Sequence, residues 1–311
     1  DQPLYARTRV SRVNHGTPRM SLPPTPEAPR SAATIVLVRD SDEGLQTLLL
    51  RRNTQLANMA GMFVFPGGKL ERSDSDAGSL ALLDQPADTL RRQLGEADAD
   101  AALATGLHVA ALREALEECG MLLAEPVRAG AALDAPRARQ LLGAGLRFDD
   151  MLRALGLRMA TRALVPWSRW ITPVAPVLAT RRFDARFFIA EAPAHQRAMH
   201  DDEETTASLW CTPRSALERY RDGSMDLAPP QIMSLAHLNR YATVNEALNA
   251  ARGRLPPTIQ PESFTDGATQ GFCYPGDTHH SVHDRALPGP TRLCRQGRHF
   301  LPPEGFEALL A

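Results

Sequence analysis

Residues 108 to 123, HVAALREALEECGMLL, constrain this chain more than any other stretch. On a helix turning about 100° per residue, Leu112, Ala115, Leu116 and Cys119 fall at i, i+3, i+4 and i+7 on one face, while Glu114, Glu117 and Glu118 gather on the other. Like charges three or four positions apart weaken a helix by roughly 0.2–0.5 kcal/mol per pair. The patch is therefore either a site for a hard divalent cation with oxygen ligands, Mg²⁺ or Mn²⁺, or a solvated acidic face. The helix by itself leaves both open.

The rest of the chain supplies enough apolar material for a core: 311 residues with 43% hydrophobic content suit one large domain or two ordinary ones. A formal charge of −1 and a pI near 6.8 argue against nucleic acid or an anionic membrane surface as partner. No apolar run approaches the roughly 20 residues of a membrane span. The four cysteines, Cys119, Cys211, Cys273 and Cys294, form no CxxC pair. Neither a zinc site nor a disulfide framework is expected, and a reducing, cytoplasmic setting is.

Residues 1–30, with six prolines and five arginines, read as a flexible tail. A domain is expected over 31–252. It opens with a strand pair, AATIVLVR and LQTLLLR, joined through DSDEG, followed by the short strand MFVFPGGK, where Pro66, Gly67 and Gly68 allow a sharp turn and close approach to a ligand. Residues 75–106 read as a helical insertion before the glutamate helix, and extra helices are expected over about 131–164. RRFDARFF reads as a central strand and ETTASLWC as another; PRSALERYRDG, PPQIMSLAHLNRY and TVNEALNAAR read as helices, the first with Pro213 in its first turn. Residues 253–311 read as a loop-rich extension with one hairpin, TRLCRQGRHF, turning at Gln296 and Gly297. Alternating strands and helices predict an α/β/α sandwich around a mixed sheet.

FPGGKLERSD together with REALEECGM resembles the two halves of the Nudix box, G-x5-E-x7-R-E-U-x-E-E-x-G-U, with U a bulky apolar residue. Gly68 takes the first glycine, and Arg113, Glu114, Glu117, Glu118, Gly120 and Met121 take the second half in register. Asp74 stands where the family has glutamate, and 38 residues separate it from Arg113 where the family has seven, an insertion of 31. Such an insertion enters a loop, whose closure cost grows only logarithmically with length. The split box, RRFDARFF, the Trp210–Pro213 segment and LAPPQ together resemble the peroxisomal-type coenzyme A diphosphatase branch of the Nudix hydrolases and its bacterial relatives. The wider family's coenzyme A signature is matched by Leu48, Leu49, Arg52, Gly61 and Phe65 to Gly68, whereas Leu50, Asn53 and Ala57 depart from it, Ala57 replacing an arginine. The chain end, Leu309-Leu310-Ala311, is not a peroxisomal S-K-L address.

The resemblance implies hydrolysis of the pyrophosphate of a small-molecule nucleotide, coenzyme A or an acyl-coenzyme A. It also implies Glu114, Glu117, Glu118 and the Gly68 carbonyl as Mg²⁺ or Mn²⁺ ligands, with Arg113 orienting the glutamates and reaching Asp74. A general base must sit within hydrogen-bond reach of the attacking water. Glu204, in the run DDEE before a strand, is the first candidate, with Glu203 next and Glu118 the alternative. Arg52, Gly67, Arg182 and Phe183 are candidates for substrate binding. By period-2 alternation, Arg182, Asp184 and Arg186 share one face and Phe183 and Phe187 the other; Arg181 joins the arginines as a possible phosphate hand, and the sequence leaves open which set lines a pocket. His279, His280 and His283 lack acid or cysteine neighbours at ligand spacing and read as a polar loop; Trp167 and Trp170 read as packing residues. The competing functions are an ADP-ribose or dinucleotide pyrophosphatase and a nucleotide-sensing module without turnover. The C-terminal extension covers the domain, shapes the pocket or forms a homodimer contact.

Overall fold

The computed structural model describes residues 28–56, 59–128, 132–174, 182–201 and 203–311. The tail through residue 27, Ala57 and Arg181 lie outside the described residues.

The sheet starts as a hairpin, β1 (Arg30–Ser41) and β2 (Gly44–Arg52), with Ser41 opposite Gly44 across a two-residue turn. Strand β3 (Phe63–Val64) lies antiparallel on β2, and the chain reverses at Pro66 so that β4 (Gly67–Lys69) lies antiparallel on β1. This puts Gly67 opposite Thr34 and Gly68 opposite Ala33. A Cβ on Gly67 would come within 2.5 Å of the Ala33 carbonyl oxygen, so the close approach needs glycine.

A 3₁₀ turn at Arg72–Ser75 leads into the insertion, which forms α1 (Ala77–Leu80) and α2 (Ala87–Leu94) and passes into α3 (Ala101–Cys119). The glutamate helix therefore begins inside the stretch read as insertion. Asp100 starts it by accepting from the Leu103 amide at 2.7 Å, and Gly120, at φ 70°, ends it in the left-handed conformation. Alanines, leucines and Gly106 bury it on nearly every side. Beyond it come β5 (Ala124–Pro126), α4 (Ala135–Gly143), α5 (Phe148–Leu155) and β6 (Leu157–Met159), which pairs with β5.

Strands β7 (Val165–Ile171), β8 (Phe183–Glu191) and β9 (Thr205–Cys211) return to the main sheet, and helices α6 (Pro213–Arg221), α7 (Pro229–Leu238) and α8 (Val244–Arg252) follow. With β10 (Thr258–Ile259), the strand order is β10-β7-β8-β1-β2-β3; β4 also pairs with β1, and β9 with β2. The β8–β1 and β10–β7 pairs are parallel and the others antiparallel, which makes the sheet mixed as expected. Side chains of β1 alternate between two cores: Ala33, Ile35 and Leu37 pack toward α2 and α3, Val36 and Val38 toward α6, α7 and α8.

The C-terminal extension holds more strand than the single hairpin read from its sequence. Strands β11 (Glu262–Asp266), β12 (Thr269–Cys273), β13 (Arg292–Gln296) and β14 (His299–Leu301) form an antiparallel sheet of their own. The hairpin is present, with Gln296 opposite His299 and the turn at Gly297 and Arg298. Its companions are too short to show a period, and Gly271 interrupts β12. That glycine permits close strand contact, since a Cβ there would fall 2.0 Å from the Leu293 oxygen.

Candidate active site

Helix α3 delivers its acidic patch onto β4. The Gly67 amide donates to Glu118 Oε2 at 2.8 Å. Gly68 lies so close to Glu114 that a Cβ would meet its Oε1 at 2.0 Å. Arg113 spreads between the acids: Nη1 donates to Glu114 Oε1 and to Glu117 Oε2, both at 2.8 Å. Its other edge takes Asp74, with Nε to Oδ1 at 3.0 Å and Nη2 to Oδ2 at 3.1 Å, and Nη2 also meets the Lys69 carbonyl at 3.0 Å. The shorter acid therefore reaches. Asp74 Oδ2 in turn accepts from the Glu71 amide at 2.8 Å, closing the 3₁₀ turn that carries it.

The patch is no solvated face. Glu118 is only 5% exposed, and burial is what pushes its pKa up to about 8; the charge of Glu114 acts in the same direction, against the Gly67 amide and Arg52. Burial likewise pushes Glu114 up to about 7 despite Arg113, and raises Glu117. Burial opposes the charge on Arg113, but Asp74, Glu114 and Glu117 outweigh it and hold the guanidinium well above its ordinary pKa.

Glu204 belongs to this electrostatic cluster, because its charge raises both Glu114 and Glu118. Two residues missed in the sequence hold it in place. Asn53 donates from its amide to the Glu204 carbonyl at 2.8 Å and from Nδ2 to the Glu203 carbonyl at 2.9 Å. Asp201 Oδ1 accepts from the amides of Glu203, Glu204 and Thr205 at 2.8, 2.8 and 2.9 Å. The legible signal was an Asp ahead of a strand, ready to form an Asx-type turn. Arg52, at the end of β2, has its Nε buried without a hydrogen-bond partner, beside Glu118.

The remaining candidates fall elsewhere. Arg182 turns to the Thr172 carbonyl at 3.2 and 3.0 Å, and the Phe183 amide donates to Thr172 Oγ1 at 3.0 Å. Phe183 pairs with Arg30 of β1, three positions before the partner of Gly68, or roughly 10 Å along the strand. Arg186 is not a phosphate hand: Glu96 of the insertion takes its Nε at 3.0 Å and its Nη2 at 2.6 Å, and Asp184 its Nη1 at 3.0 Å. Phe187 is core. His280 uses both ring nitrogens within the C-terminal extension, on the Gln260 carbonyl and the Val282 amide. Trp167 and Trp170 are buried in the core.

Among the described residues, no three His, Cys, Asp or Glu side chains already surround a common point, since Arg113 draws Glu114 and Glu117 aside. The donor set nevertheless suits a hard divalent cation. It consists of carboxylate oxygens, Glu118 is buried and Glu114 nearly so while Glu117 opens to solvent, and the charges of Glu114, Glu117 and Glu204 raise their neighbours' pKa.

A mixed sheet between helical layers, with a glycine turn laid on a glutamate helix, defines a Nudix-type protein. The solved NUDIX hydrolase from Alicyclobacillus acidocaldarius shares the fold at a TM-score of 0.56 and 26% identity, over 71% of this chain and 96% of that one. Residues 29–238 match the family described as the NUDT19 Nudix domain, and the chain belongs to that family. It is 28% identical over 233 residues to the acyl-coenzyme A diphosphatase NUDT19 of Xenopus laevis, covering 65% of this chain and 61% of that one. The Homo sapiens protein of the same name is 28% identical over 281 residues, 75% of either chain. The chain thus spans less than two thirds of the frog protein's length. No helix among the described residues is long and apolar enough to cross a membrane.

Proposed function

We propose that this chain is a divalent-metal-dependent pyrophosphohydrolase that cleaves coenzyme A or acyl-coenzyme A to 3′,5′-ADP and 4′-phosphopantetheine or its acyl form. One observation carries the reading: three carboxylates are held together against a glycine turn, with Glu118 buried and fixed by the Gly67 amide. Relatives named acyl-coenzyme A diphosphatase support the substrate class.

Glu114, Glu117, Glu118 and the Gly68 backbone would hold Mg²⁺ or Mn²⁺. When bound, the ion neutralises phosphate charge and makes water more acidic. Arg113 keeps the glutamates in place from behind while anchoring Asp74. Glu204 takes the proton from the attacking water, whose oxygen bonds to one phosphorus as the bond from that phosphorus to the bridging oxygen breaks. Arg52, beside Glu118, offers its guanidinium to phosphate oxygens.

The test is turnover of coenzyme A, acyl-coenzyme A, ADP-ribose and a dinucleotide with Mg²⁺ or Mn²⁺, products being separated by chromatography. Coenzyme A or its acyl form is expected to lead in kcat/KM, and Glu118→Gln to abolish turnover. A preference of about tenfold for ADP-ribose overturns the substrate. Nucleotide binding by calorimetry with no hydrolysis in excess metal overturns the enzyme reading.

A further inference from the structure

Between β8 and β9 the chain runs along the C-terminal end of α3 before it reaches Glu204. Gln196 brackets Leu122, its Oε1 accepting from the Leu122 amide at 2.7 Å and its Nε2 donating to the Leu122 carbonyl at 3.0 Å. The Met199 amide then donates to the Cys119 carbonyl at 3.0 Å, one of the acceptors that a helix leaves unsatisfied in its last turn. The segment is thereby tied to the same turn of α3 that carries Glu118 to the Gly67 amide.

A further tie comes from the helices between β5 and β6. Arg139 of α4 donates from Nη1 to the Met199 carbonyl and from Nη2 to the His200 carbonyl, both at 3.1 Å. The rigid fork of a guanidinium suits two adjacent acceptors, and the end of α3 beside it carries the partial negative charge of a helix C-terminus. Helix α4 holds the group firmly. Asp134 caps it by accepting from the Arg137 amide at 2.9 Å, Pro136 stands in its first turn, and Ala135 and Ala138 are buried in the core around α3.

The chain continues from His200 into Asp201, whose Oδ1 gathers the amides of Glu203, Glu204 and Thr205. Asn53 fastens this stretch from the side of β2. On the side of α3, Met199 is 56% exposed, so packing contributes little there and the bonds of its backbone carry the attachment.

We propose that Arg139 is a positioning residue for hydrolysis: it holds the Met199 and His200 carbonyls against the end of α3 and so sets where Glu204 stands relative to the carboxylates of that helix. The inference rests on the reading of Glu204 as the base. Through Arg139, α4 contributes to turnover without entering the carboxylate cluster.

Kinetics at saturating Mg²⁺ with coenzyme A, or with ADP-ribose where that is preferred, test this together with hydrogen exchange. Arg139→Met should lower kcat at least about tenfold and leave KM unchanged, and Arg139→Lys, which keeps a donor, should recover part of the loss. Arg137→Met, on the same helix but donating to Gln140, should keep wild-type kcat. In a Glu204→Gln background, itself slower by about a hundredfold or more, Arg139→Met should add no further loss. The amides of Glu203, Glu204 and Thr205 should exchange about tenfold faster in Arg139→Met than in the wild type, a readout that needs no substrate. Wild-type kcat or unchanged exchange in Arg139→Met, or an equal loss in the Glu204→Gln background, overturns the positioning role and leaves the base standing. Wild-type turnover by Glu204→Gln, or no turnover by the wild type, overturns the reading on which this rests and the role of Arg139 with it.

Discussion

Arg113 holds both carboxylate oxygens of Asp74 from 39 positions away, and the pair is almost closed to solvent, at 8% and 2% side-chain exposure. The whole insertion lies between the two residues, so this contact closes the split motif. The aspartate is one methylene shorter than the family's glutamate, and the 3₁₀ turn makes up the difference by carrying it to the guanidinium.

Asp74→Asn keeps the shape and removes the charge, leaving an amide to face a buried cation. Breaking such a pair costs on the order of 3 kcal/mol, and the urea midpoint should fall accordingly. An unchanged midpoint would mean that the Lys69 carbonyl and the glutamates hold Arg113 unaided.

The adjacent glycines should fail in different ways. Gly67→Ala drives its Cβ against backbone, the Ala33 oxygen at 2.5 Å and Thr34 Cα at 2.8 Å, so thermal stability should drop. Gly68→Ala meets the end of a side chain, Glu114, which can swing away. Its melting temperature should stay near wild type, while metal affinity and turnover fall about tenfold or more. Equal melting losses in both variants would contradict the contrast.

Two arginines on the strands that flank β1 should likewise separate. Arg186 is spent on Glu96 and Asp184 and is 5% exposed. Arg186→Met strands those acids, although Arg169 still shares both, and should cost about 3 kcal/mol with KM unchanged in the folded fraction. Arg52→Met removes a donor that has no internal partner. It should raise KM about tenfold and barely move the melting curve.

That contrast also marks how far the sequence could be read. The β1–β2 hairpin, the Gly67–Gly68 turn and the glutamate helix were legible because each is a local pattern with a fixed period or spacing. The place of Arg186 stayed open in the sequence because alternation gives the face of a residue and not what covers it; the partner, Glu96, lies 90 positions away. Burial of the acidic patch was hidden for the same reason. Glu204 is a candidate from its place before a strand, and the Asn53 and Asp201 bonds that fasten its backbone needed the fold. In the extension, strands of three to five residues carry too few alternations to announce a sheet.

The acidic patch makes the metal-free chain pH-sensitive in a definite direction. Burial, with opposing help from Arg113 and the Gly67 amide, leaves Glu118 at about 8 and Glu114 at about 7, both above their ordinary 4.5. The folded chain then binds protons that the unfolded chain has released, so stability falls as pH rises between those limits. In the presence of a chelator, the melting temperature should decline from about pH 6.5 to about pH 8; below that window the buried His108 and His237, held down at about 4 and about 3 by burial, pull in the opposite direction. A divalent cation competes with the same protons, so the stabilisation on adding Mg²⁺ should grow across that window. Glu118→Gln removes the group that titrates highest and should flatten the upper part of both curves. A chelated wild type whose melting temperature does not change over this range would show that the carboxylates are charged in the folded state, and that Arg113 alone neutralises them.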